Sequence, residues 1–380
     1  MNTRLSIPAT SALARVARAL AFSLALLVLT GCNVTRPLMS LDEDPLAPYP
    51  GTNLSVAAVD EQIEIGREEL SQGRVWEAAR RSLRLFEDTR LDSDRGNATM
   101  QLMVEAFDTG IKGATKPSQL DRFRTNRLPR TVRAMRTIGK AQLLLDRGSP
   151  QLAFEEVVEL ERTFPSHHLA REAADIVYQA ATRLRERDSS FWIFWSDAAR
   201  ADIAYNYLVV QDPTHPHCDE AYWRMAQYDA GKRRFADSIE SLADLVLFFP
   251  NSPFAIDAEA QIPRLRLADQ ARIDFDIGSL DRSLAEIRAW LDRHGRTGVD
   301  AARDELIADM RELEVEALRR LARSDLVVAR YYDTLDESFG AHQHAARALD
   351  YARQADLEDE MEQAQALVDE HAAGAALVRP

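Results

Sequence analysis

From Val59 onward, apolar residues recur at three- and four-residue intervals in long stretches separated by short breaks. That spacing is the 3.6-residue period of amphipathic helices, and strand-like alternation is nearly absent. The pattern also repeats. Setting residues 225–258 beneath 140–173, an offset of 85, aligns Ala141, Glu155, Leu160, Phe164, Pro165, Ala170 and Ala173 with Ala226, Glu240, Leu245, Phe249, Pro250, Ala255 and Ala258 without a gap. Ala153 then meets Ser238 and Val157 meets Leu242, small on small and large on large.

The spacing within a unit resembles the tetratricopeptide repeat, a helix hairpin of about 34 residues. A small residue in the first helix lets the second approach, a short turn follows, an alanine opens the second helix, and proline stops it because it lacks an N–H. Gly66, Gly73 and Ala78 fit one unit, and Ala141, Gly148, Ala153, Val157, Leu160 and Pro165 another. Ala201, Tyr205, Leu208 and Pro213 mark a third, and Ala226, Phe235, Ser238, Leu242, Leu245 and Pro250 a fourth. Weaker copies run through Gly278, Ser283, Ile287 and Trp290, then Ala329, Ala341 and Ala345. Successive prolines are 48 and 37 residues apart (Pro165, Pro213, Pro250), so some hairpins carry insertions or longer helices. The expectation is an all-α, right-handed α-solenoid of about five to six helical hairpins, spanning 59–372, with a less regular segment at 112–140 and a tail at 373–380.

The preceding residues read differently. Arg4, Arg15 and Arg18 precede an apolar run over residues 19–30. Twelve helical residues span roughly 18 Å, too short for a hydrocarbon core of about 30 Å, so 1–31 reads as a signal peptide. Leu29, Thr30, Gly31 and Cys32 resemble the lipobox of bacterial lipoproteins, which implies diacylglycerol on the Cys32 thiol and cleavage before it. Several acyl chains anchor a protein stably where one does not. Asn33 after the cysteine implies, by analogy with lipoprotein sorting, the periplasmic face of the outer membrane. Residues 32–58, with Pro37, Pro45, Pro48 and Pro50 among acidic and small residues, read as an extended tether.

Composition narrows the function. The chain has 380 residues, 46% of them hydrophobic, enough for a sizeable core, and a net charge of -14 argues against nucleic acid as a partner. Only two cysteines are present, and lipidation of Cys32 leaves Cys218 without a disulfide partner. No phosphate-binding loop, His-Glu-x-x-His or Gly-x-Ser-x-Gly occurs, so neither an enzyme nor a cofactor is expected.

Three further stretches carry a family resemblance. Asp212-Pro213-Thr214-His215-Pro216, followed by Asp219, Ala221, Tyr222 and Met225, is similar to the Pro-Thr-His-Pro turn of the BamD (YfiO) outer-membrane assembly lipoproteins. Residues 248–255, Phe-Phe-Pro-Asn-Ser-Pro-Phe-Ala, resemble that family's Tyr-Pro-Asn-Ser turn, and residues 325–332 its late Val-Ala-x-Tyr-Tyr helix. The resemblance implies a non-enzymatic, lipid-anchored scaffold whose partners are a β-barrel insertase, other assembly-machine lipoproteins and unfolded outer-membrane proteins. The chain departs from the pattern over residues 87–137, and it has His344 where the family often carries arginine. Another tetratricopeptide lipoprotein scaffold, serving a secretion or pilus system or cell-wall synthesis, fits the same hairpins, and so does a repeat lipoprotein that binds a small molecule or glycan.

Other clusters each admit a plain and a sharp reading. His215, His217 and Cys218 lie within four residues, but a closed zinc site wants a second pair of ligands, so an inter-repeat turn is expected there and at His167-His168. From Lys112 to Lys140 there are nine basic residues and one acid, with Arg127, Arg130, Arg133 and Arg136 every third residue. They are candidates for a surface that meets anionic headgroups or an acidic partner, or for a solvated helix paired with the protein's own carboxylates. Phe191-Trp192-Ile193-Phe194-Trp195 is the densest aromatic cluster; Trp192 and Trp195 would anchor a partner or pack between hairpins. Glu358-Asp359-Glu360 reads as a solvated helix start, where carboxylates complement the macrodipole.

Overall fold

The computed structural model describes residues 54–88, 91–123, 127–187, 196–270, 277–298 and 300–376. Among them the regular structure is entirely helical: α1 (Val56–Ser71), α2 (Val75–Asp88), α3 (Ser93–Gly113), a short 3-10 turn (Pro117–Gln119), α4 (Arg130–Asp146), α5 (Pro150–Thr163), α6 (Ala170–Arg187), α7 (Asp197–Gln211), α8 (Cys218–Gly231), α9 (Phe235–Phe248), α10 (Ala255–Gln270), α11 (Ile277–His294), α12 (Ala301–Thr334), α13 (Ser338–Gln354) and α14 (Glu358–Ala376). No helix among the described residues is long and apolar enough to cross a membrane. Each helix packs chiefly on its neighbours in the chain, and the core is a series of clusters passed from hairpin to hairpin. That is the packing order of an α-solenoid.

Two kinds of connection build it. Five tight turns share one geometry, with a left-handed residue just past the helix end: Gly73 (φ 75), Gly148 (φ 73), Arg233 (φ 59), Asp336 (φ 55) and Asp356 (φ 52). In each, the next backbone N–H reaches back five residues to a carbonyl of the last helical turn, Arg74 to Glu69, Ser149 to Leu144, Arg234 to Asp229, Glu337 to Tyr332 and Leu357 to Ala352, at 2.8–3.0 Å. This is the Schellman arrangement, which satisfies carbonyls the helix leaves unpaired. Four residues after that N–H, a fully buried small side chain opens the second helix at Ala78, Ala153, Ser238 and Ala341.

The second connection contains proline. At Pro165, Pro213 and Pro250 the chain leaves one hairpin for the next, and His167, His215 and Ser252 occupy equivalent places. Each side chain there accepts a hydrogen bond from the backbone N–H two residues on, through Nδ1 of His167 (3.2 Å), Nδ1 of His215 (3.3 Å) and Oγ of Ser252 (3.2 Å). A histidine and a serine thus do the same local task, closing a turn by side chain to backbone.

The periodic positions read from the sequence line the interior. Ala141, Ala226, Ala201, Tyr205, Ser283, Ile287, Ala329 and Ala345 are all completely buried. The 48-residue interval from Pro165 to Pro213 holds α6 of 18 residues and α7 of 15, against 14 each for α8 and α9 in the 37-residue interval; further along, α12 is 34 residues, about 51 Å of helix. Two boundaries differ from expectation. The helical body begins at Val56, inside the segment assigned to the tether, because Ser55 caps α1 by accepting from the Ala58 N–H (3.3 Å). At the other end α14 continues to Ala376, beyond 372. Glu358 does begin α14, but the acidic start is not wholly solvated: Glu360 is 7% exposed because it packs toward α12, where it accepts from Arg323 Nε at 2.8 Å.

Candidate functional site

The basic stretch is not one helical surface. Helix α4 begins only at Arg130, because Leu128 is buried and Pro129 is the residue before it, so Arg127 lies outside the helix. Arg136 is 5% exposed; its Nε donates to the Leu120 carbonyl (2.8 Å) and a terminal nitrogen donates to Asp121 (3.0 Å). Burial holds its guanidinium below the usual arginine range, against the pull of Asp121 and Glu156. Arg133 lies over the Phe164 ring at 4.4 Å and donates to the Leu128 carbonyl (3.1 Å), and Arg130 approaches the same ring at 5.7 Å. Arg136 is therefore removed from the candidate surface: it ties the irregular segment before α4, with buried Leu120 and Phe123, onto the solenoid. The spacing of three could not reveal this, because the helix starts after the first arginine and buries the last.

His215, His217 and Cys218 do not converge. His215 Nε2 meets Asp175 (2.9 Å), His217 stacks on the Tyr178 ring at 4.1 Å, and the Cys218 thiol donates to the Asp212 carbonyl (3.2 Å). Burial pushes that thiol up to about 11, leaving it protonated and unreactive at neutral pH. Cys32, the lipobox residues Leu29, Thr30 and Gly31, and the aromatics Trp192 and Trp195 lie outside the described residues.

What the structure assembles instead is a groove on α8. Its buried face consists of Cys218, Ala221, Met225, Ala226 and Asp229. The opposite face, Glu220, Trp223, Arg224, Gln227, Tyr228 and Gly231, follows the same helical period and lines an open groove of about 610 Å³. Arg185 of α6, Ala198 of α7, Lys232 and Phe254 complete the wall. Gln227 bonds Gln261 of α10 (2.9 Å), fixing the far side.

The groove is aromatic and cationic. Trp223 and Phe254 stack at 5.6 Å with their planes 15° apart. Arg185, Arg234 and Lys232 all lie within cation–π reach of the Tyr228 ring, at 4.9, 5.2 and 5.7 Å. Arg234 is paired with Asp229, and Arg224 donates to Glu220 (2.7 Å). Glu220 also accepts from the Tyr178 hydroxyl (2.6 Å), and burial together with that carboxylate pushes Tyr178 up to about 12. Arg185 and Lys232 enter no ion pair among the described residues. Arg185 also donates to the Arg224 carbonyl (3.2 Å); two cations without a close ion pair, beside stacked aromatic faces, suit a segment that brings its own carboxylates and apolar side chains. The signal in the sequence was the polar-aromatic face of α8 left over once its core face is marked, but only folding adds Arg185 and Phe254.

His344 lies beside a buried carboxylate. Asp325 is 1% exposed, and it is held by His344 Nδ1 at 2.8 Å together with Arg347. His344 stacks on Tyr332 at 5.5 Å. The guanidinium reaches the buried carboxylate from one turn further along α13.

No protein-family model and no curated protein matches the chain. Among solved structures it is similar to a tetratricopeptide repeat protein from Parabacteroides merdae, 12% identical, with 81% of this chain and 98% of that one covered at a TM-score of 0.28. It is also similar to pilF of Pseudomonas aeruginosa, 12% identical, with 82% and 97% covered at a TM-score of 0.26. The assignment as an α-solenoid of tetratricopeptide-like hairpins rests on this chain's own turns and helix order.

Proposed function

We propose that the protein is a lipid-anchored scaffold on the periplasmic face of the outer membrane that serves the assembly of β-barrel proteins. It acts by binding: the α8 groove receives a segment of a partner protein. The observation that carries the binding role is the groove itself, where Arg185 and Lys232, neither in a close ion pair, line the wall beside the Trp223–Phe254 stack. Supporting the finer reading are the lipobox ending at Cys32 and the ordered motifs at 212–216, 248–255 and 325–332.

The test is affinity capture of the detergent-solubilised, lipidated protein, with Cys32→Ser as the unanchored control and Tyr228→Ala/Lys232→Glu as the groove variant. The expected result is recovery of a β-barrel insertase by the wild type and its loss in the groove variant at unchanged helicity. Recovery of secretion, pilus or wall-synthesis proteins in place of the insertase would overturn the assembly role. Equal recovery by the groove variant would overturn the assignment of α8.

A further inference from the structure

The geometry points to a divalent transition-metal site between α12 and α14, with Asp333, Glu370 and His371 as its ligands. Asp333 lies in the last turn of α12, and Glu370 and His371 lie toward the end of α14. One donor atom from each residue can be drawn so that all of them lie within 4.8 Å of one another.

The imidazole makes the case. His371 is 7% exposed, yet its Nε2 makes no hydrogen bond. Asp333 Oδ1 stands only 3.0 Å from it. The distance suits a hydrogen bond and the alignment does not, as expected when two donors aim at a third point between them. Two ligand bonds of about 2.1 Å at a right angle put their donor atoms about 3.0 Å apart, whereas a tetrahedral angle gives about 3.4 Å. The observed separation thus fits neighbouring positions of an octahedral ion, with Glu370 on the solvent side and water filling the rest. One imidazole and two carboxylates suit manganese, iron, cobalt, nickel or zinc, and a nitrogen donor disfavours calcium and magnesium. A dication would also neutralise the two carboxylates. An ion joining α14 to α12 would clamp these two helices together, and binding to the folded state alone adds stability.

The ligands lie 37 residues apart along the chain, from Asp333 to Glu370, with no local motif, so the spacing rules for zinc-binding sequences pass over them.

The test uses the full chain stripped with chelator and titrated by calorimetry with Zn²⁺, Mn²⁺ and Co²⁺ separately. The expected result is saturable uptake of one ion per chain and a rise in the thermal midpoint. Uptake should weaken about tenfold or more in His371→Ala and Asp333→Asn. The Co²⁺ absorption spectrum should report a nitrogen ligand that is lost in His371→Ala. Glu370→Gln, at an exposed position, leaves packing untouched and should weaken binding measurably even if the other variants fold poorly. Absence of saturable uptake would mean that His371 and Asp333 form only an ion pair, and would overturn the site. Uptake unchanged in Glu370→Gln and Asp333→Asn would place the ion elsewhere on the acidic surface and overturn it equally.

Discussion

Asp202 gives a pH dependence that can be worked through from the structure. It lies on α7, with one carboxylate oxygen buried and without a hydrogen-bond donor. Burial is the main cause pushing its carboxyl from the ordinary 3.8 up to about 7; the like charges of Asp229 and Asp237 add to it, and Arg185 and Arg234 oppose it. A raised folded-state value means the folded protein binds a proton that the unfolded chain has released between about pH 4 and pH 7. Stability from this group is therefore highest below pH 4, falls as pH rises, and levels off above about 7. The shift spans roughly three tenfold steps in proton affinity, at about 1.4 kcal/mol each, so the full effect is on the order of 4 kcal/mol. Partial access of water reduces it, and about 2–3 kcal/mol is expected. Asp202→Asn keeps the shape and removes the charge, so it should stabilise the protein at pH 8 by about that amount and change it little at pH 4.5. Thermal unfolding at both pH values checks this. Hydrogen exchange of the α7 and α8 amides gives a local reading, because a solenoid's stability is a sum of neighbour terms and a global midpoint dilutes a local change. A difference between variant and wild type that is the same at both pH values would refute the reasoning.

Arg233 holds the left-handed position that glycine fills at 73 and 148, so Arg233→Gly should raise stability by about 0.5–1 kcal/mol, read as a higher urea midpoint at unchanged slope. A Cβ at Gly110 would come within 2.6–2.9 Å of the Trp76 ring, itself packed on Phe107 and Phe123, so Gly110→Ala should cost about 1–3 kcal/mol and disturb near-UV circular dichroism. Arg136→Ala strips the Leu120 carbonyl of its side-chain donor, while Lys140 still holds Asp121 at 2.8 Å, and should cost about 1–3 kcal/mol; Arg130→Ala, at an exposed position on the same helix, should cost less than about 1 kcal/mol, both measured by denaturant titration.

The hairpins were legible because their defining residues act locally. Ala153 and Ser238 are small where two helices cross, Gly148 supplies a left-handed turn, and Pro165, Pro213 and Pro250 each stand within two residues of a helix end. The offset of 85 survives folding as two equivalent stretches running from α4 to α6 and from α8 to α10. Turn histidines were legible for the same reason, since His167 and His215 bond backbone two residues away. Arg136 was not. Its distinction from Arg130, a chemically identical side chain on the same helix, comes from an irregular segment that folds back and offers it the Leu120 carbonyl.

By itself, then, the sequence determined the helical periods, the hairpin turns and the small residues at helix crossings, all of which depend on contacts within a few residues or on the size of one side chain. Tertiary structure alone decided where charge and aromatic surface gather. The α8 groove draws Arg185 and Phe254 from other elements, the Asp202 carboxyl is pushed up because packing buries it and, secondarily, because α8 and α9 bring carboxylates near it, and His371 faces Asp333 only because α14 closes on α12. Coulomb energy and desolvation depend on distance through space and on excluded water, and one-dimensional order encodes neither.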